Sequence, residues 1–141
     1  MKRKVLSLLV GSMLVVGMFA GCSSTSKTDT TKTTNKKIVI AGIYKAGDQV
    51  WFLDEGKAAK KMALSMGASD FLFIDAKMNP DSYLQAVDNV IAQKVDGVVT
   101  CIPDQKMSQV VVTKLKNANI PVIAVDDALQ DQSGKNIAPW V

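Results

Sequence analysis

From Ile38 onward the apolar residues follow two alternating patterns. Short apolar runs, "KIVIAGIY" (37–44), "DFLFIDA" (70–76), "VDGVVTCI" (95–102) and "PVIAV" (121–125), read as four buried strands. Helix-period segments separate them. The first places Trp51, Phe52, Glu55, Ala58, Ala59, Met62, Ala63 and Met66 at three- and four-residue spacing and stops at Gly67. The second starts with Asn79 as a cap and Pro80 at the first helical position, where a missing N–H costs nothing; its stripe is Tyr83, Leu84, Val87, Val90 and Ile91. The third opens at Pro103–Asp104, carries Met107, Val110, Val111, Leu115 and Ala118, and closes at Asn119. This alternation predicts βαβ units. Right-handed crossovers then give an α/β fold, an open parallel sheet with helices on both faces (an α/β/α sandwich).

The N-terminus follows neither pattern. Lys2, Arg3 and Lys4 precede the apolar run "VLSLLVGSMLVVGMFA", which stops at small residues, as a secretory signal does. The run is shorter than the ~20 residues that a bilayer span needs. "FAGCSS" resembles the lipobox of bacterial lipoproteins, with Phe19 where leucine is commoner. That resemblance implies a signal peptide over 1–21, lipid attachment at Cys22 and an extracytoplasmic, membrane-anchored protein. Ser23–Lys37 contains no apolar residue and cannot bury a core, so 22–37 is expected to be a flexible tether. The domain would then span 38–141.

Composition removes several functions. Of the 17 basic residues, Lys2, Arg3, Lys4, Lys27, Lys32, Lys36 and Lys37 precede Ile38, but among the 13 acidic ones only Asp29 does. The domain is therefore slightly acidic, which leaves no basic surface for nucleic acid. There is no histidine, which removes histidine triads and most zinc sites, and no metal or other cofactor is expected. With Cys22 lipidated, Cys101 has no disulfide partner. "GIYKAGDQ" after the first strand lacks both glycine-rich phosphate-loop patterns.

Open parallel sheets bind ligands beyond the carboxyl ends of their strands. Those ends carry Lys45, Asp48, Gln49, Trp51 and Phe52 after the first strand, Asp75 and Lys77 after the second, Cys101 and Asp104 after the third, and Asp126 and Asp127 after the fourth. Carboxylates and an ammonium beside an aromatic plane suit a polyol, whose hydroxyls both donate and accept and whose C–H faces can stack.

"YKAGDQVWF", "CIPDQK" and "PVIAVDD", in this order and spacing, resemble the N-terminal lobe of bacterial periplasmic sugar-binding proteins, most closely the arabinose-binding members. The resemblance covers the chain from about Ile38. It implies a two-lobed, hinge-closing monomer that delivers a monosaccharide to an ABC permease, with the second lobe beyond these residues. It also implies that Lys45, Asp126 and Asp127 bond sugar hydroxyls, that Trp51 and Phe52 form an aromatic wall, and that Cys101 lies near the pocket floor. Gln49 stands where arabinose binders carry an acidic sugar ligand. The resemblance implies a monosaccharide ligand, an arabinose-like pentose or a related hexose, and Gln49 speaks against arabinose itself.

Each residue has a plainer reading. Asp126 and Asp127 sit where strand ends are often acidic, and both reach one ligand only if the backbone bends, because successive strand side chains point to opposite faces. Lys45 suits an exposed loop, Gln49 a solvated first turn, Trp51 a helix core face and Cys101 a small buried hydrophobe. A sugar sensor for a membrane receptor or kinase is the alternative role. A carboxylate-based sugar-processing enzyme is less well matched, since adjacent carboxylates on one strand rarely span a substrate.

Overall fold

The computed structural model describes residues 36–141. The signal-peptide reading, most of the tether and the lipid attachment at Cys22 lie outside the described residues. Four strands appear where the apolar runs predict them: β1 (Val39–Tyr44), β2 (Asp70–Asp75), β3 (Gly97–Thr100) and β4 (Val122–Ala124). They alternate with α1 (Val50–Ser65), α2 (Pro80–Ala92) and α3 (Ser108–Asn117), the last preceded by a 3₁₀ turn at Gln105–Met107. All pairings among these four strands are parallel and the strand order is β2-β1-β3-β4. The chain runs outward from β1 to β2 and then returns to β3 on the other side. Its direction of winding reverses between β1 and β3, where open sheets of this kind form a crevice.

Strand alternation divides the two faces. Ala41 and Ile43 of β1, Val98 of β3 and Ala124 of β4 join Tyr83, Val87 and Val90 of α2 and Val111 and Leu115 of α3 in one buried cluster. Each such aliphatic side chain, fully buried, contributes roughly 1.5–3 kcal/mol relative to exposure. The buried polar group on this face is satisfied: the Tyr83 and Thr100 hydroxyls bond to each other, and Thr100 donates to the Ile43 carbonyl at 3.0 Å. Tyr44 turns to the opposite face, where it stacks on Phe73 (5.0 Å between centroids) under α1.

Helix boundaries follow local chemistry. The Asn79 side chain accepts from the Ser82 N–H at 2.8 Å with Pro80 at the first position. Asp104 caps the 3₁₀ turn, accepting from the Lys106 N–H at 2.9 Å. Gly67, Lys94 and Asn119, the residues that end the three helices, all have positive φ. The next residue in each case donates back five positions, Ala68 to Ala63, Val95 to Val90 and Ile120 to Leu115, which satisfies the last carbonyls. Gly67 and Asn119 were readable as stops. Lys94 was not, because lysine seldom adopts this conformation.

The face of α1 differs from the one its spacing predicts. Trp51, Met62 and Met66 are 68%, 60% and 80% exposed, while Phe52 and Gly56 are buried. The sheet-facing edge is Phe52, Gly56, Ala59 and Ala63, with a half-buried Glu55 beside it. Small residues let the helix approach the sheet. A Cβ on Gly56 would strike the Phe73 ring. Close approach therefore selects the glycine–alanine edge, and the bulkier stripe rotates outward.

Candidate functional site

The carboxyl ends of β1, β3 and β4 bring Lys45, Cys101, Asp126 and Asp127 together. Lys45 immediately follows β1, and its ammonium hydrogen-bonds Asp127 and lies 3.4 Å from Asp126 Oδ2. Beneath them the Cys101 thiol, fully buried, lies 3.6 Å from an Oδ2 of each aspartate. The two carboxylates meet there because the backbone bends. Asp126 has φ +61°, and the Asp127 N–H donates to the Val125 carbonyl at 2.7 Å, closing a three-residue γ-turn. Such a turn is rare and strained for a non-glycine residue. It cancels the strand alternation that would otherwise send the two side chains to opposite faces.

Residues 139–141 brace this turn from outside. Ala124 pairs in parallel with Trp140; the Val141 N–H donates to the Ala124 carbonyl at 3.1 Å and the Asp126 N–H to the Val141 carbonyl at 3.3 Å. The Trp140 indole N–H donates to the Asp126 carbonyl at 3.1 Å. Trp140 was missed in the sequence, since nothing local in "APWV" points back to a turn 14 residues earlier.

The electrostatics follow from these contacts. Burial pulls the Lys45 ammonium down, but its bond to Asp127, then the electrostatic influence of Cys101 and Asp127 and its bond to Asp126, outweigh it and push the pKa up to about 12. Burial pushes the Cys101 thiol up to about 12 as well, so it remains a neutral donor toward the two carboxylates. The thiol and carboxylate ligand atoms all lie within 4.8 Å of one another. A protonated thiol and an ammonium already seated on the carboxylates make this a poor set for a metal ion.

The aromatic residues divide. Phe52 is buried, with the Lys45 ammonium 5.6 Å from its ring centroid, a cation–π distance that supports the lysine from below. Trp51 is exposed in the first turn of α1. It lines an open groove of about 510 Å³ with Val50, Asp54, Glu55 and Ala58. Gln49 occupies the N-cap position of α1, exposed and making no side-chain cap. Phe52 thus joins the four polar residues, while Gln49 and Trp51 stand outside their hydrogen-bond network.

Glu55 was noted in the sequence only as part of the helix stripe. Its Oε2 is buried, as is the Tyr44 hydroxyl, and neither has a hydrogen-bond partner among the described residues. Burial and then the charge of Asp126 raise the Glu55 pKa, and burial followed by the charge of Glu55 raises that of Tyr44.

A polar cluster at the carboxyl ends of an open parallel sheet, beside the point where the winding reverses, marks the class of α/β lobes that hold small ligands. The family model of the periplasmic binding protein domain matches residues 40–138, and the chain belongs to this family. It is 31% identical over 98 residues to an ABC transporter L-arabinose-binding periplasmic protein of Azospirillum brasilense, covering 68% of this chain. It is 29% identical over 100 residues to the L-arabinose-binding periplasmic protein of Escherichia coli K12, covering 71% of this chain. The chain spans only 28% and 30% of the lengths of these two relatives. Among solved structures, it superposes with a TM-score of 0.56 and 27% identity on the binding-protein component of the arabinose ABC transporter from Shewanella sp. ANA-3, bound to α- and β-L-arabinofuranose. That match covers 62% of this chain and 29% of the other.

Proposed function

We propose that this chain is the N-terminal lobe of a solute-binding lipoprotein that captures a monosaccharide, an arabinose-like pentose or related hexose, for an ABC importer. The observation that carries this reading is the γ-turn at Asp126. It directs two adjacent carboxylates onto Lys45 at the mouth of the sheet, leaving partly exposed oxygens, 36% and 38% by side chain, to accept from sugar hydroxyls. Lys45 supplies N–H donors and Trp51 an apolar surface for a sugar face. The names of the arabinose-binding relatives support the ligand class, while the neutral Gln49 supports a hydroxyl pattern different from theirs.

In this reading residues 1–21 are a signal peptide, Cys22 carries the lipid, 22–37 tether the lobe and 38–141 form it. A second lobe closes over the sugar, and the monomeric closed receptor is read by the permease. No reaction is catalysed. Calorimetric titration of the full-length receptor with L-arabinose, other pentoses and hexoses tests it. Saturable binding of a monosaccharide is expected, and absence of binding to every sugar would overturn the reading.

A further inference from the structure

The loop carrying Lys45 is not held by its own strand alone. Asp75, the last residue of β2, is in register with Tyr44, the last residue of β1. Its Oδ1 accepts from two backbone N–H groups, that of Gly47 at 2.6 Å and that of Lys77 at 2.8 Å. The next residue, Met78, donates its own N–H to the Lys45 carbonyl at 2.5 Å, and Ala76 donates to the Tyr44 carbonyl at 2.9 Å. The loops after β1 and β2 are therefore stitched together on both sides of Lys45.

Two features show that this stitching is specified. Lys77 and Met78 both have φ of +54°, a conformation that costs about 1 kcal/mol or more for each non-glycine residue. Two in succession persist only where surrounding bonds hold them, and the bonds here are those to Asp75 and Lys45. Gly47 is also required by the contact, because a Cβ there would lie 2.6 Å from Asp75 Cβ. A shared carboxylate oxygen, a side-chain-free residue in the loop after β1 and a left-handed pair in the loop after β2 thus converge on one junction.

We infer that Asp75 is a positioning residue for ligand binding: through Gly47, Lys77 and Met78 it fixes the backbone of Lys45, so that the ammonium meets Asp126 and Asp127 before any sugar arrives. This rests on the sugar-binding reading of the site. In this role Asp75 acts through the loop backbone, its Oδ1 being engaged by the Gly47 and Lys77 N–H groups. What it supplies is preorganisation, which strengthens binding by removing the cost of ordering the loop when ligand enters.

The test compares wild-type full-length receptor with Asp75→Ala and Asp75→Asn. Amide hydrogen exchange is read at Gly47 and Lys77, affinity by titration with L-arabinose and the other monosaccharides, and stability by Tm. Asparagine keeps an acceptor oxygen without the charge, whereas alanine keeps neither. Asp75→Ala should speed exchange at both amides at least tenfold and weaken binding about tenfold, in line with the loss of hydrogen bonds to a charged acceptor. Asp75→Asn should restore both to within a few-fold. Unchanged exchange in Asp75→Ala would overturn the inference. So would an Asp75→Asn variant that protects its amides yet binds as weakly as alanine, since Asp75 would then contact the sugar by its charge. Where wild type binds no monosaccharide, the sugar-binding reading fails and the inference about binding fails with it. Exchange at Gly47 and Lys77 then still reports whether Asp75 holds the loop.

Discussion

The Lys45 ammonium is hydrogen-bonded to Asp127, 82 residues later in the chain, and the two come from the ends of β1 and β4, strands that are not neighbours in the sheet. β3 lies between them and places the Cys101 thiol under the pair. Because both charged groups are partly exposed, their mutual attraction contributes less than about 1 kcal/mol to folding. Asp127→Ala should therefore leave thermal stability within about 1 kcal/mol of wild type and weaken monosaccharide binding by about 10- to 100-fold, the range of one or two charge-assisted bonds. Paired calorimetry and melting curves check both halves.

The turn at Asp126 separates backbone from side chain. Asp126→Gly keeps the positive φ at no steric cost and removes the carboxylate, whereas Asp126→Ala removes the carboxylate and retains the strain. Alanine should be less stable than glycine by about 1 kcal/mol in denaturant titrations, with both variants weakened in sugar binding. Equal stabilities would mean that the γ-turn relaxes on substitution.

Glu55 places a carboxylate where burial and Asp126 both disfavour its charge. A raised folded pKa means that the protonated form is favoured in the fold, so this group's stabilising contribution is complete at acid pH and lost as pH rises through the folded value. Glu55→Gln mimics the protonated form. It should raise Tm by a few degrees at neutral pH, with the difference shrinking on acidification below the ordinary carboxylate range. A Tm gain that persists unchanged to acid pH would count against the electrostatic cause.

Cys101 carries the same sign into alkaline solution. Its folded pKa of about 12 exceeds the ordinary 9.0, so the unfolded thiol ionises first. Its contribution is complete below about pH 9 and fades toward pH 12; Lys45, raised from 10.5 to about 12, adds to the loss above pH 10.5. Cys101→Ser should flatten the stability profile between pH 9 and 10.5. At pH 8 the folded thiol should react with a disulfide reagent at least 100-fold more slowly than in denaturant, because its thiolate is scarce and its sulfur buried.

Much of the fold was readable because its signals are local. Short apolar runs marked all four strands, and Asn79–Pro80, Gly67 and Asn119 marked helix ends through their own backbone preferences. The α1 face was misjudged because hydrophobic spacing takes no account of how close a helix can come to its sheet, and Gly56 decided that against Phe73. At the site, the strand-end rule named Lys45, Cys101, Asp126 and Asp127 among eleven residues, and only the fold brings these four together. Phe52, expected in an aromatic wall, lies beneath Lys45. Asp75 remained without a role, because its partners are backbone N–H groups on another loop, which no residue pattern reveals.

The sequence by itself determined the order and type of the elements and which polar residues stand at the strand ends, since each depends on residue type and short spacing. Tertiary structure alone decided that two adjacent aspartates share one direction, that Trp140 braces their turn and that Asp75 holds the loop of Lys45. Those outcomes depend on a single positive φ and on hydrogen bonds between segments 14 to 82 residues apart, which form only once the sheet has set its register.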